Sequence, residues 1–581
     1  MKKPIGDLHC HPSLKPVNNS SIKDIWTYKK NLTTKALFKG LFGLGISPRK
    51  WAINLFVRDM ATYTQSNLED CFEGDNRLLF LAIYPPERPF LKPDRPFDKA
   101  TVKQRFVLSR VFGIQLKRHI DNKIIRILTG FSRERVNEYL KSIYDTEYID
   151  YFNDDFVKEY KYIEDSHLSS SPNQVKFQKP TFRLVSNYQE YVETVNANNI
   201  AGIITIEGMH ALAKYKNENL FNAKTIDSLS ATDKAALKAS FINNVANLKD
   251  KNQFAYTPLF ITFSHHFNNL ISGHAKSFAD SKNRTIPGFA DVFNQTNGLD
   301  LGITSFGKTI IKNHLLARDN GSRILIDTKH MSLQSRDDYA TIIKSLKASG
   351  DHVPIVCSHT AINGIKTRDE AAQREDTNTL DKKSYVSRWD INITDQDIID
   401  IFESDGVIGV CMHDGRMPGG KFKKLYKGLT RQFKPDESVK RLHAQMFLTN
   451  VFHIVKINLE NIRNHNANNP NNLIAEIDAW KTICLGSDND GIVDPFDHFN
   501  TANTLDDFKH RVAKAITLNF RPYWKTFRVI SVDQNSCTFF SEDQLTDLML
   551  GLSPEEIADK VFSDNLDVFL SKYFTDGYLN G

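Results

Sequence analysis

The stretch IGDLHCHPS at residues 5–13 places a short apolar segment directly before His9 and His11. Two positions apart on an extended chain, these imidazoles project to one face while Cys10 projects to the other. Two histidines on one face can converge on a metal, whereas burying both without partners would be costly. The same arrangement recurs along the chain: an apolar run that ends in a group able to bind metal or move a proton. GIITIE (202–207) ends in Glu207, LFITFSH (259–265) in His265 and PIVCSH (354–359) in His359. ILIDTKH (324–330) carries Asp327 and His330, and TICLGSD (482–488) ends in Asp488.

Eight runs of strand length stand out: Pro4–Leu8, Leu78–Ile83, Gly202–Ile206, Leu259–Phe263, Ile324–Ile326, Pro354–Cys357, Val407–Cys411 and Thr482–Leu485. Continuous rather than alternating apolarity is the mark of parallel strands buried on both faces. Between them lie segments of helical period, among them Tyr188–Asn196, Ser228–Asn247, Phe306–Ala317, Arg336–Ala348, Asp395–Glu403 and Arg441–Ile457. Eight strands separated by helices predict an α/β fold of the (β/α)8 TIM-like barrel type. In such a barrel the C-terminal strand ends converge on the face where active sites are built. The groups that follow six of the eight runs therefore meet in one place.

Composition sets the outer limits. The chain has 581 residues, a net charge of +6 from 75 Lys+Arg against 69 Asp+Glu, 25% charged and 40% hydrophobic residues. That is an ordinary soluble globular balance, which excludes disordered, collagen-like and coiled-coil classes. No apolar run reaches the roughly 18 residues of a transmembrane helix, and MKKPIGDLHCHPS lacks the apolar core of a signal peptide. Six scattered cysteines (10, 71, 357, 411, 484 and 537) form no CxxC pair, so a reducing, cytoplasmic setting is expected.

Each site candidate has a chemical reason. A buried Glu207 would cost several kcal/mol unless paired or metal-bound. His330 and His359 end adjacent strands, as a second pair of nitrogen ligands should. Asp488, in LGSDNDG, suits a proton acceptor, with Asp490 on the same segment as the alternative; the other positions of a calcium loop are missing. His210, His266, His274 and His413 read as structural.

Taken in order, DLHCHPS, IEGMHAL, FITFSHHFN, LGITSFGK, LIDTKHMS, PIVCSHTA, GVIGVCM, LGSDNDG and SPEEIADKVFSDNLDVF resemble the membrane (renal) dipeptidase family of the metal-dependent amidohydrolase superfamily. The motifs run from residue 7 to about residue 570. The resemblance implies two zinc ions, one held by His9 and His11, the other by His330 and His359, with Glu207 bridging. It implies that His265 polarises the substrate and that Asp488 is the acid/base. A hydroxide shared by the metals would attack a dipeptide or similar small N-acyl amino acid, and a homodimer is expected. No further cofactor is implied.

Three departures qualify the match. The family's first motif reads His-x-Asp, whereas position 11 is His; the net charge of the site rises by one, which favours a more acidic bound water. Asn489 replaces an aromatic in the GSDxDG motif. The family's carboxylate-binding arginine lies nearer to the sixth-strand histidine, whereas here a charged insert, Lys366–Lys383, intervenes before SRWDINITDQD; Arg388 is the best candidate, with Arg368 and Arg374 as alternatives. These departures leave open another amide, a lactone or a phosphoester as substrate, or a non-catalytic ligand-binding scaffold.

The spacing also predicts organisation: barrel strands one and two in residues 1–86, an inserted helical cap over 87–187, and the remaining barrel in 188–581 with a lid-like loop near 415–438. Within the cap, Lys99–Arg135 carries ten Lys/Arg against Asp121 and Glu134, a local net charge of +8. A solvated helical face accounts for it, and no RNA-binding motif or phosphate loop accompanies it, so no nucleic-acid partner is expected. Asn464–Asn472, with six asparagines, reads as a polar loop.

Overall fold

Eight parallel strands follow one another around a barrel: β1 (Ile5–Cys10), β2 (Asn76–Ile83), β3 (Ile200–Glu207), β4 (Phe260–Thr262), β5 (Leu325–Asp327), β6 (Val356–Thr360), β7 (Val407–Val410) and β8 (Ile483–Leu485). Neighbours in sequence are neighbours in space throughout, from Leu78↔Ala201 between β2 and β3 to Val410↔Leu485 between β7 and β8. The circle closes just beyond β8. Asn489 bridges Cys10 in parallel, and the His9 carbonyl accepts from the Asp488 N–H at 2.9 Å. All eight apolar runs are strands of this barrel, and the expected (β/α)8 architecture is the one observed. In the computed structural model the described residues are 3–19, 22, 24–26, 64–91, 125–126, 129–277, 294–374, 384–431, 436–520, 528–532 and 537–581, without the side chains of 426–431, 436 and 537.

The helices form where period and caps agree. Tyr188–Asn196 starts from Asn187, whose side chain accepts from the Glu190 N–H. Asp395–Glu403 starts from a capping box in which Thr394 and Asp397 satisfy each other's backbone N–H, and it buries Ile398, Ile401 and Phe402. Two segments differ from expectation. Phe306–Ala317 is not one α-helix: Ser305–Ile310 is α-helical and Ile311–Leu315 widens into a π turn. The asparagine-rich stretch is helical as far as Asn468, and the Asn466 amide exchanges two hydrogen bonds of 2.8 Å with the backbone of Ile474. Those asparagines close a helix end, a role their short side chains suit.

In the 87–187 segment, Arg133–Tyr144 and Val157–Asp165 are helices. Tyr139, Val136 and Ile143 of the first pack with Leu14, Tyr84 and Phe267, which follow β1, β2 and β4. Phe182–Leu184 belongs to the barrel sheet, pairing with Ile200–Gly202 on β3. Most of the basic stretch 99–135 lies outside the described residues. In the segment near 415–438, Gly420–Arg431 is a helix rather than a loop. Among the described residues no helix is long and apolar enough to cross a membrane. Five cysteines, Cys10, Cys71, Cys357, Cys411 and Cys484, are buried and unpaired; the Cys537 side chain lies outside the described residues.

Candidate metal centre

At the C-terminal end of the barrel, Asp7 and Asp327 hold the strand ends in place. The Asp7 carboxylate accepts from the Ser487 N–H at 2.8 Å and from its hydroxyl, tying β1 to the segment after β8. Burial pushes this acid up to about 6 against the pull of those hydrogen bonds. Asp327 accepts from the Thr262 hydroxyl, from the Ser358 N–H and hydroxyl, and from the Lys329 N–H. It laces β4, β5 and β6 together. Asp327 is thus one strand-end acid whose oxygens are spent on structure.

Above these staples, Glu207 is the centre of a ring of imidazoles. Its Oε1 lies 3.4 Å from His9 Nε2, 3.3 Å from His265 Nε2, 3.5 Å from His330 Nε2 and 3.6 Å from His359 Nε2. Its Oε2 lies 3.4 Å from His11 Nε2. The imidazoles form two pairs, with Nε2 atoms 3.0 Å apart in His9 and His11 and 3.2 Å apart in His330 and His359. His9, His11 and Glu207 form one group able to hold a metal, and Glu207, His330 and His359 another. Ligands about 2.0–2.1 Å from a tetrahedral zinc stand roughly 3.3–3.4 Å from each other, which matches these separations. Nitrogen and carboxylate donors of this kind suit zinc and neighbouring divalent ions. Residues and group therefore fit.

Local backbone conformation places these side chains. Gly208 directly after Glu207 has φ +100°, and a Cβ there would fall 2.2 Å from the His210 ring. His330 and Asp488 adopt left-handed φ values of 65° and 58°, uncommon for residues with a side chain and typical of functional sites. Space for the Asp488 carboxylate comes from Gly491, whose Cβ would otherwise lie 1.8 Å from Oδ1.

Asp488 faces both pairs. Oδ1 is 3.5 Å from His11 Nε2 and Oδ2 is 3.6 Å from His359 Nε2. Burial would raise this acid, but His359, His11 and His413 around it hold it well below the usual carboxylate range. Asp490 is committed elsewhere: Lys15 Nζ lies at 2.7 Å, and the N–H groups of Gln65 and Ser66 donate to it. His265 is buried, which lowers its proton affinity, yet it sits between Glu207 and Glu87, and their charges push it up to about 10.

Four residues outside the expected site belong to this neighbourhood: Glu87 and Arg416, which the sequence reading passed over, and His266 and His413, which it read as structural. Glu87 accepts from His265 Nδ1 at 2.9 Å. His413, beyond β7, brings Nε2 to 3.3 Å from Asp488 Oδ2, and His266 groups with His265 and His330. Arg416 is only 9% exposed, and its Nη1 has no hydrogen-bond partner among the described residues. Its charge adds to burial in holding His330, His266 and His413 below the usual imidazole range. The signal available in the sequence was position: these residues follow β2, β4 and β7, three to six residues past the strand ends.

Of the three arginines expected to bind a carboxylate, Arg368 is enclosed by Asp397, Asp400 and Asp337 at 2.7–3.1 Å. That network holds helices together and leaves Arg368 no part in a substrate site. Arg388 is half-buried, and its carbonyl accepts from Arg374 Nη1 at 3.4 Å.

No family model and no curated protein matches the chain. Among solved structures it is similar to dipeptidase AC, a metallopeptidase, with 12% identity, 99% of each chain covered and a TM-score of 0.43. A second is a metallopeptidase from Rhodobacter sphaeroides bound to a phosphinate mimic of the dipeptide L-Ala-D-Ala, with 12% identity, 99% and 100% covered and a TM-score of 0.42. A third is the probable dipeptidase PvdM from Pseudomonas aeruginosa, with 12% identity, 88% and 89% covered and a TM-score of 0.37.

Proposed function

We propose that the chain is a metal-dependent hydrolase that cleaves dipeptides or similar small N-acyl amino acids, with zinc as its metal. The observation that carries this reading is the pair of imidazole pairs flanking one buried carboxylate. His9 and His11 would hold one ion, His330 and His359 the other, and Glu207 both. Two such ions, when bound, supply an acidified water and polarise a carbonyl.

The chain's own residues account for the rest. His265 directs Nε2 towards the centre, where it donates to the oxygen that gains charge as the amide carbon becomes tetrahedral. Asp488, ionised at neutral pH, accepts the proton of the attacking water and passes it to the leaving nitrogen as the C–N bond breaks. The free carboxylate of the substrate needs a cation. Arg388 is the residue expected from the sequence, and Arg416 is a second candidate, buried with an unmatched Nη1 and with its charge acting on His330, His266 and His413. The buried, unpaired thiols fit the cytoplasm as its compartment.

Substrate pairs test this assignment. On a dipeptide with a free C-terminal carboxylate, Arg416→Ala is expected to raise KM about 10–100-fold, the value of a charged hydrogen bond. On the matching C-terminal amide it should change KM by less than about threefold. The same assay on Arg388→Ala decides between the two arginines. If neither variant discriminates carboxylate from amide, the dipeptide reading loses its substrate anchor.

A further inference from the structure

We propose that Glu87 is a positioning residue that fixes the orientation of His265; the inference rests on the hydrolase reading for its kinetic consequence but on contacts alone for its geometry. Glu87 is the fourth residue after β2, reached through Pro85 and Pro86, and is 3% exposed. Its Oε1 accepts from His265 Nδ1 at 2.9 Å and from the His266 N–H at 2.9 Å, while Oε2 accepts from the Tyr84 hydroxyl at 2.7 Å. One carboxylate thus ties the end of β2 to the end of β4.

The other imidazoles of the centre lack such a partner. Nδ1 of His9, His11 and His330 has no hydrogen-bond partner among the described residues, and Nδ1 of His359 meets the Ser358 hydroxyl at 2.9 Å. His265 is also gripped from its sides, by the edge-on ring of Tyr84 at 4.6 Å and by His266 at 3.7 Å. A carboxylate on Nδ1–H leaves Nε2 as the only ring nitrogen that can serve the site, and it turns Nε2 to within 3.3 Å of Glu207. The next residue anchors this loop to the insertion: Arg88 pairs with Asp155 at 2.6 Å and lies over the Tyr139 ring at 4.2 Å. The insertion thereby sets the position of a group at the reaction centre without touching substrate.

The test uses zinc-loaded protein with 15N-labelled histidine, together with Glu87→Gln, His265→Asn and the double variant. The wild type is expected to show a slowly exchanging, downfield Nδ1–H resonance that disappears in Glu87→Gln and in His265→Asn. Glu87→Gln should lower kcat on a dipeptide about 10–100-fold with KM nearly constant, and should cost less than about twofold once His265 is Asn. An equal loss in both backgrounds, or a wild type without that resonance, would overturn the proposal. The resonance is read without turnover and without the variant having to fold for its presence to be decided. A protein that shows it yet cleaves no dipeptide would retain Glu87 in this role while removing the dipeptidase reading.

Discussion

Glu207→Gln is expected to reduce bound metal from about two ions per chain to one or fewer and to lower dipeptide hydrolysis by about 10³-fold or more. A bridging carboxylate contributes charge to both ions, and polarisation of water and carbonyl by the metals is worth several kcal/mol, which at 1.36 kcal/mol per decade amounts to thousands-fold. The substitution keeps side-chain volume but removes the only carboxylate among the described residues that lies within 3.6 Å of all five Nε2 atoms of the ring. Metal analysis of the purified variant beside its kcat/KM checks the result. A variant that retained two ions and near-normal turnover would show that the imidazoles alone hold the metals.

The second large effect separates metal binding from proton transfer. Asp488→Asn is expected to lower kcat by about 10²–10⁴-fold while leaving metal content at about two per chain. The amide keeps the shape of the carboxylate in the space left by Gly491 but cannot carry the proton from water to leaving amine. KM should change little, because on this account Asp488 does not bind substrate. Loss of one ion along with activity would instead make Asp488 a ligand, a role compatible with its grouping beside His9 and His359. Joint measurement of metal content and kcat therefore assigns the residue.

The fold was legible because a strand buried on both faces is apolar at nearly every position, and the eight runs come close to that rule, with Asp7, Thr205, Thr262 and Thr482 as their polar members. The convergence of imidazoles on Glu207 was legible for a related reason: strand ends are the one place where a barrel fixes the position of a side chain from local sequence. His9, His11, Glu207, His330 and His359 all lie there. Residues further along the loops were not legible. Glu87 is brought to His265 by the turn at Pro85–Pro86 and the packing of Arg88 on Asp155, a contact between residues 67 positions apart in sequence. His413 and Arg416 reach the centre on a loop held by the bridges His413↔Pro495 and Val386↔Pro418, which no periodicity reveals.

Arg368 shows the opposite error. An arginine downstream of the sixth-strand histidine suits a substrate clamp by position, but Asp397 and Asp400 claim it from a capped helix that starts 27 residues later. A buried guanidinium between carboxylates is costly to break and is a structural element. By the same reasoning Asp490 and Asp327, acids in the right segments, were removed from the chemistry by donors supplied from elsewhere in the fold.

Metal stoichiometry of the purified protein, measured together with hydrolysis of small L,L and L,D dipeptides before and after chelation, bears most directly on the central claim. Two zinc ions per chain, with cleavage that chelator abolishes and zinc restores, is the predicted result. Two ions without cleavage of any dipeptide would keep the centre and contradict the substrate. A chain that binds no metal under zinc-replete conditions would contradict the account as a whole.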